Sequence, residues 1–157
     1  MGGKIKNINK ITMALKNRTS KGSNTFNKIQ KLLAQNGANK VMFDYNRNGT
    51  VDAITFALDV DGKTMGFRLP AMVGNVAQIL YGDLIEKFPD RKEKYLEQSY
   101  KTAWANIRDW IDAQLALVAT RQVKIQHVFL PYMIMKGGKT LAEVIETNPS
   151  FLLESKN

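Results

Sequence analysis

Oxygen-bearing side chains crowd the stretch DYNRNGTVDAIT, which begins at Asp44. Asp44, Asn46, Asn48, Gly49 and Asp52 stand at the first, third, fifth, sixth and ninth places of an EF-hand calcium loop, where carboxylate and amide oxygens would surround the cation. The twelfth place of such a loop needs a Glu that gives both of its oxygens, and here it is Thr55. A second set of carboxylates, Asp109 and Asp112, lies three apart on a helical stretch and with Asp44 or Asp52 would compose a two-metal nuclease centre. Beside Arg108 these two Asp residues read more simply as a solvated helix edge. KGGKT, at Lys136 to Thr140, ends like a phosphate-binding loop, but its glycine spacing is wrong and it reads as a turn into a capped helix.

Little else supports catalysis. The chain has no G-x-S-x-G and no H-E-x-x-H, no Cys and a single His, His127. Neither a disulfide framework nor a thiolate metal site can form. The chain is therefore expected to be no enzyme, with no catalytic residue, no metal site and no cofactor.

The elements around Asp44 explain the crowding differently. KVMF before it and AITFALDV after Asp52 have strand composition, and Asn48-Gly49 is a two-residue hairpin signal that needs positive φ at both positions. That turn pairs Tyr45 with Asp52, Phe43 with Ile54 and Val41 with Phe56. A second turn at Asp61-Gly62 pairs Leu58 with Met65, Phe56 with Phe67 and Ile54 with Leu69. Cross-strand partners share a face, so one side receives Val41, Phe43, Tyr45, Ile54, Phe56, Leu58, Met65, Phe67 and Leu69. The other side receives small or polar residues, among them Asp44, Val51, Ala53, Thr55, Gly66 and Arg68, with Lys40 opposite Ala57. A flat face of that kind would admit a nucleic-acid backbone, unless the first or last helix covers it.

Charge gives the strongest functional signal. The net charge is +9, and residues 1 to 40 hold nine cations and no acid: Lys4, Lys6, Lys10, Lys16, Arg18, Lys21, Lys28, Lys31 and Lys40. From residue 41 onward basic and acidic residues balance. A neutral body with a basic arm suits contact with nucleic-acid phosphates; an acidic protein partner and simple solubility are the competing readings. With Arg68 these nine cations form the expected phosphate-contacting set. Tyr81, Tyr95 and Tyr132, near element ends and beside Lys87, Lys94 and Lys136, are the candidate bases-stacking residues. Tyr100, Trp104 and Trp110 fall inside an apolar stripe and read as core.

The remaining elements follow from periodicity and punctuation. Residues 1–22 read as a basic arm, with amphipathic helical spacing over 4–16, and residues 23–157 as a single α+β domain. A first helix starts at a cap on Ser23 or Asn24 and ends at Asn36-Gly37. Strands follow near 40–46, 50–60 and 63–69. AMVGNVAQILYGDLIEKF reads as a helix bent or broken near Gly82, and the longest helical signal runs from about 91 to 121, with Asp90 as its cap. Thr140 and Glu143 have capping-box spacing for a last short helix. The expected fold is thus a three-stranded antiparallel β-meander packed on a long helix, with additional short helices. No apolar run is long enough to span a membrane and no signal-peptide core opens the chain, so a cytoplasmic protein without a membrane partner is expected. Self-association is left open.

Two stretches, GANKVMFDYNRNGTVDAITFALDVDGKTMGFRLPA and TAWANIRDWIDAQLALVATRQVKIQHVFLPYM, resemble a family of small proteins of unknown function encoded by bacteriophages and prophages. The resemblance runs from Phe26 to Glu146 and rests on FRLPA, IRDWIDAQLAL and VFLPYM. It implies a phage-encoded protein acting in the cytoplasm of the host bacterium, and carries no catalytic residue with it. The order of three strands and then a long helix is also similar in architecture to phage single-strand annealing proteins, whose basic residues line a DNA groove. That likeness is one of architecture and carries no function by itself; with the basic arm, the expected role is an accessory nucleic-acid-binding protein in replication or recombination. The alternative is an anti-defence or host-takeover protein that blocks a host nucleic-acid enzyme by protein contact.

Overall fold

Thr25, Ile29 and Leu33 recur every fourth residue and are buried, which sets one face of the first helix, α1 (Thr25–Gln35). The computed structural model describes residues 24–151. The arm at 1–22, its amphipathic stretch and the cap expected on Ser23 lie outside the described residues. α1 ends as its sequence suggests. The Asn36 side-chain amide donates to the Leu32 carbonyl at 2.8 Å, and Gly37 turns the chain at φ 99°.

Three strands follow, β1 (Ala38–Tyr45), β2 (Val51–Val60) and β3 (Lys63–Pro70), in an antiparallel sheet of order β1-β2-β3. Then come α2 (Val73–Lys87), a 3-10 turn (Pro89–Arg91), the long α3 (Lys92–Ala119), the single turn α4 (Ile125–Val128) and α5 (Leu141–Thr147). The chain is α+β, with the meander, the long helix and the shorter helices that the sequence predicts. The described residues form two compact units, each discontinuous in sequence: 24–29 with 71–111, and 30–70 with 112–151.

In the first unit the packing is aromatic. The Phe26 ring lies 5.0 Å from Trp104 and 6.2 Å from Tyr100, between ring centroids. Trp104 is buried, as its place in the stripe predicts, and Ser99, Thr102, Ala103 and Ala105 are buried with it. Four consecutive buried residues leave no open face on that turn of α3. The Thr102 hydroxyl is buried there without a partner, whereas Ser99 donates to the Tyr95 carbonyl at 2.7 Å. α2 runs unbroken through Gly82, against expectation. An added Cβ at Gly82 would meet the Gln78 side chain at 3.1 Å, so the glycine makes room for a neighbour one turn earlier. Asp90 lies inside the 3-10 turn that precedes α3 and is not itself a cap for α3.

In the second unit the sheet holds the core. Ile54, Phe56, Leu58, Phe67 and Leu69 are buried, in the predicted register. Phe56 stacks on Phe67 at 5.3 Å, and Phe129 meets both rings edge-on, at 5.1 and 6.0 Å. The outer edge of β3 is partly paired as well. Met133 bridges Phe67, and the Ile134 amide donates to the Gly66 carbonyl at 2.8 Å. Gly137 and Gly138, both at positive φ, turn the chain back so that Thr140 bridges Ile134. KGGKT is therefore a hairpin-like turn. Thr140 caps α5 in a capping box with Glu143, as its spacing predicts.

Candidate nucleic-acid interface

The hairpin that opened the calcium question is built around Asn46. Its Oδ1 accepts from the backbone amides of Asn48 and Thr50, at 2.9 and 3.1 Å. Its Nδ2 donates to Thr50 Oγ1 and Asp52 Oδ1, at 2.7 and 2.9 Å. Asn46 and Thr50 close the loop through backbone N–H to carbonyl at 2.8 Å, which leaves three residues at the tip. Only Gly49 among them has positive φ, 77°. The two-residue Asn48-Gly49 turn is thus replaced by a three-residue loop, because Asn46 satisfies the loop amides itself.

That extra residue shifts the register at the strand ends. Tyr45 pairs with Val51, and not with Asp52. Tyr45 leaves the apolar face and is 67% exposed, while Val51 is buried. Sequence reasoning therefore missed Tyr45 as a stacking candidate. It stands beside the exposed Arg47 at a hairpin tip.

The second face of the sheet carries a polar row across all three strands. The Asp44 carboxylate accepts from Thr55 Oγ1 at 2.9 Å and from Arg68 Nε at 3.3 Å. Asp59 accepts from Asn39 and Thr64 in the same way, at 2.9 and 2.6 Å. Lys40 is exposed opposite Ala57, as the register predicts. The face thus sets Lys40 and Arg68 against Asp44 and Asp59, and its own charge balances. Lys40 and Arg68 are two strands and two residues apart, roughly 12 Å between Cα atoms. Nor is the face uniformly open. Ala53 is fully buried, Ile134 lies 3.4 Å from where a Gly66 Cβ would stand, and Met42 is 56% exposed.

The other predicted residues are distributed as follows. Lys28 and Lys31 are exposed, three apart on α1. Lys4, Lys6, Lys10, Lys16, Arg18 and Lys21 lie outside the described residues. Tyr81 is buried in the body of α2 and stacks on Tyr95 at 5.2 Å, so it is not free to stack on a base. Burial, and then the Tyr95 phenol beside it, push the Tyr81 hydroxyl pKa up. Tyr95 and Tyr132 are half-buried. Lys87 and Arg91 sit over the Phe88 ring, at 5.5 and 5.6 Å from its centroid, which positions two cations at the junction of α2 and α3. Asp109 accepts from Arg108 Nε at 2.9 Å. Among the described residues no group of three or more His, Asp or Glu side chains is disposed to hold a metal, and no helix is long and apolar enough to cross a membrane.

Comparison with family models, with curated proteins and with solved structures returned no match to this chain.

Proposed function

We propose that this chain binds nucleic acid through its phosphates without reading sequence, as a phage-encoded accessory protein of DNA replication or recombination in the host cytoplasm. One observation carries the reading: the whole net charge of +9 resides in the first 40 residues, which contain no acid. Cations on a backbone position a protein on the strand, whereas bases are read by other contacts. Lys28, Lys31 and Lys40, the described part of that stretch, are all exposed and able to join it.

Counterion release supplies the test. With about six phosphate contacts from residues 1–22, log K against log salt should fall with a slope of about −4 to −5. Replacing Lys4, Lys6, Lys10, Lys16, Arg18 and Lys21 by Gln in the full chain should flatten that slope and weaken binding, while the melting temperature holds. Competitor strands of unrelated sequence should displace one another equally. If the full chain fails to retain a strand of about 30 nucleotides at about 50 mM salt, where phosphate contacts are strong, the reading is abandoned.

The second reading, an inhibitor that blocks a host nucleic-acid enzyme by contact, is favoured by a different feature. Met42 and Tyr45 are exposed on β1, which is an edge strand of the sheet. Among the described residues no further strand lies beside β1, and an edge strand with exposed apolar side chains suits a protein partner. A stable complex with a host protein, without retention of bare strands, would establish this reading in place of the first.

A further inference from the structure

The C-terminal end of α3 breaks a local rule. The Arg121 amide donates to the Val118 carbonyl and the Gln122 amide to the Leu117 carbonyl, both at 3.0 Å, the paired bonds of a Schellman ending. The residue that turns the chain in such an ending sits in the left-handed region, where glycine is the default. Here it is Arg121, at φ 59°. A residue kept in a strained conformation that glycine would relieve points to a use for its side chain.

Its surroundings show what the use is. Arg121, Lys124 and His127, three residues apart in TRQVKIQH, line one open hollow of about 540 Å³ with Val118, Gln122 and Val123. That volume lies in the range of small-ligand sites. Among the described residues no carboxylate pairs with Arg121 or Lys124, in contrast to Arg68 and Arg108, which each hold one. Among the described residues the hollow is therefore a concentration of N–H donors with no carboxylate on Arg121 or Lys124, beside two apolar side chains. A guanidinium fork and an ammonium suit a phosphate; Val118 and Val123 suit a sugar edge or the flat of a base.

We propose that this hollow binds one nucleotide unit, its phosphate on Arg121 and Lys124, with His127 as a further ring donor and the apolar part over Val118 and Val123. The choice of ligand class rests on the nucleic-acid reading; the site does not. None of these residues belongs to the cationic set that the sequence nominates.

The chain has a single His, so its ring signals in an NMR spectrum report on the hollow without ambiguity. Titrating the full chain with a nucleoside 5′-monophosphate should shift them saturably, with a dissociation constant of about 1 mM, a weak single-unit contact. The unphosphorylated nucleoside should not shift them. Arg121→Gly should weaken the nucleotide about tenfold, the usual worth of a charge-assisted bond, while the melting temperature stays the same or rises. Lys124→Gln, at an exposed position, should weaken it independently. The site is overturned by no saturable shift up to about 10 mM nucleotide, by equal saturation with inorganic phosphate, or by an Arg121→Gly chain that binds like the native one. A chain that retains a long strand but gives no His127 shift loses this site and keeps the proposed function. A chain that gives the shift but retains no strand keeps the site, as a mononucleotide site, and loses the proposed function.

Discussion

The two hairpins of the sheet share β2, and their sequences look alike. Each has a polar residue before glycine at its turn, Asn48-Gly49 and Asp61-Gly62, between runs of alternating apolar residues. The β2–β3 hairpin follows that pattern throughout. Asp61 and Gly62 both have positive φ, 49° and 77°, and the pairing runs from Val60–Lys63 to Ala53–Pro70 without a shift. The β1–β2 hairpin shifts register twice, near Asn39 and before Tyr45, and its tip is one residue longer. Burial differs in the same sense. Phe67 and Leu69 of β3 are buried, whereas Val41 and Phe43 of β1 are half-buried and Met42 and Tyr45 are exposed. A turn dipeptide thus sets the register only where no neighbouring side chain offers the loop amides a better partner. Depth of burial is set by what lies beyond the sheet, here Phe129 and the strand-like pair Met133 and Ile134 on the β3 side.

The largest contrast should appear in truncations of one Phe from each hairpin. Phe56→Ala removes a ring that touches both Phe67 and Phe129, and should cost about 3–5 kcal/mol in denaturant unfolding. Phe43→Ala, on a half-buried position of β1, should cost about 1–2 kcal/mol, since less area leaves water on folding there. Equal losses would mean that β1 is packed as deeply as β3 and would break the comparison.

The turns come next. Asn46→Ala leaves the Asn48 and Thr50 amides without their side-chain acceptor and should cost about 1 kcal/mol. Asn48→Ala should cost much less, because Asn48 is not at positive φ and a two-residue turn is not what it forms. If unfolding shows Asn48 to be the more sensitive, the three-residue loop is wrong. Gly62→Ala should cost about 1 kcal/mol from backbone strain alone, since an added Cβ at φ 77° meets nothing within 4 Å.

These contrasts also mark how far the sequence can be read. Alternation and the Asp61-Gly62 turn suffice for β2–β3 because every decision there is local or between adjacent strands. The Asn46 contacts are local too, yet a dipeptide signal passes over them: the deciding side chain lies outside the dipeptide. Phe129 was out of reach for another reason. It approaches the sheet from a segment far later in the chain, and only long-range packing places it. For the candidate interface, the cations of the first 40 residues were legible as composition. Arg121 was not, because it occupies a helix ending that sequence rules reserve for glycine.

The smallest effect belongs to the one ion pair that joins the outer strands of the two hairpins. Asp44 on β1 and Arg68 on β3 meet over Thr55 of β2, at 3.3 Å, with side chains 35% and 39% exposed. The pairing is diagonal across two strands, which is why nearest-neighbour register does not reveal it. Water reaches both groups, so a double-mutant cycle with Asp44→Asn and Arg68→Ala should give a coupling of about 0.5 kcal/mol or less, smaller still in high salt. Asp44 neutralises Arg68, the one cation of the expected phosphate-contacting set that lies outside the first 40 residues. Asp44→Asn keeps an oxygen for the Thr55 hydroxyl and removes that charge. If the sheet face meets a phosphate backbone, the substitution should tighten strand binding and steepen its salt dependence by up to about one phosphate contact. If the strand runs elsewhere, affinity and slope should both stay where they were, and Arg68 would be a tie between β1 and β3 and nothing more.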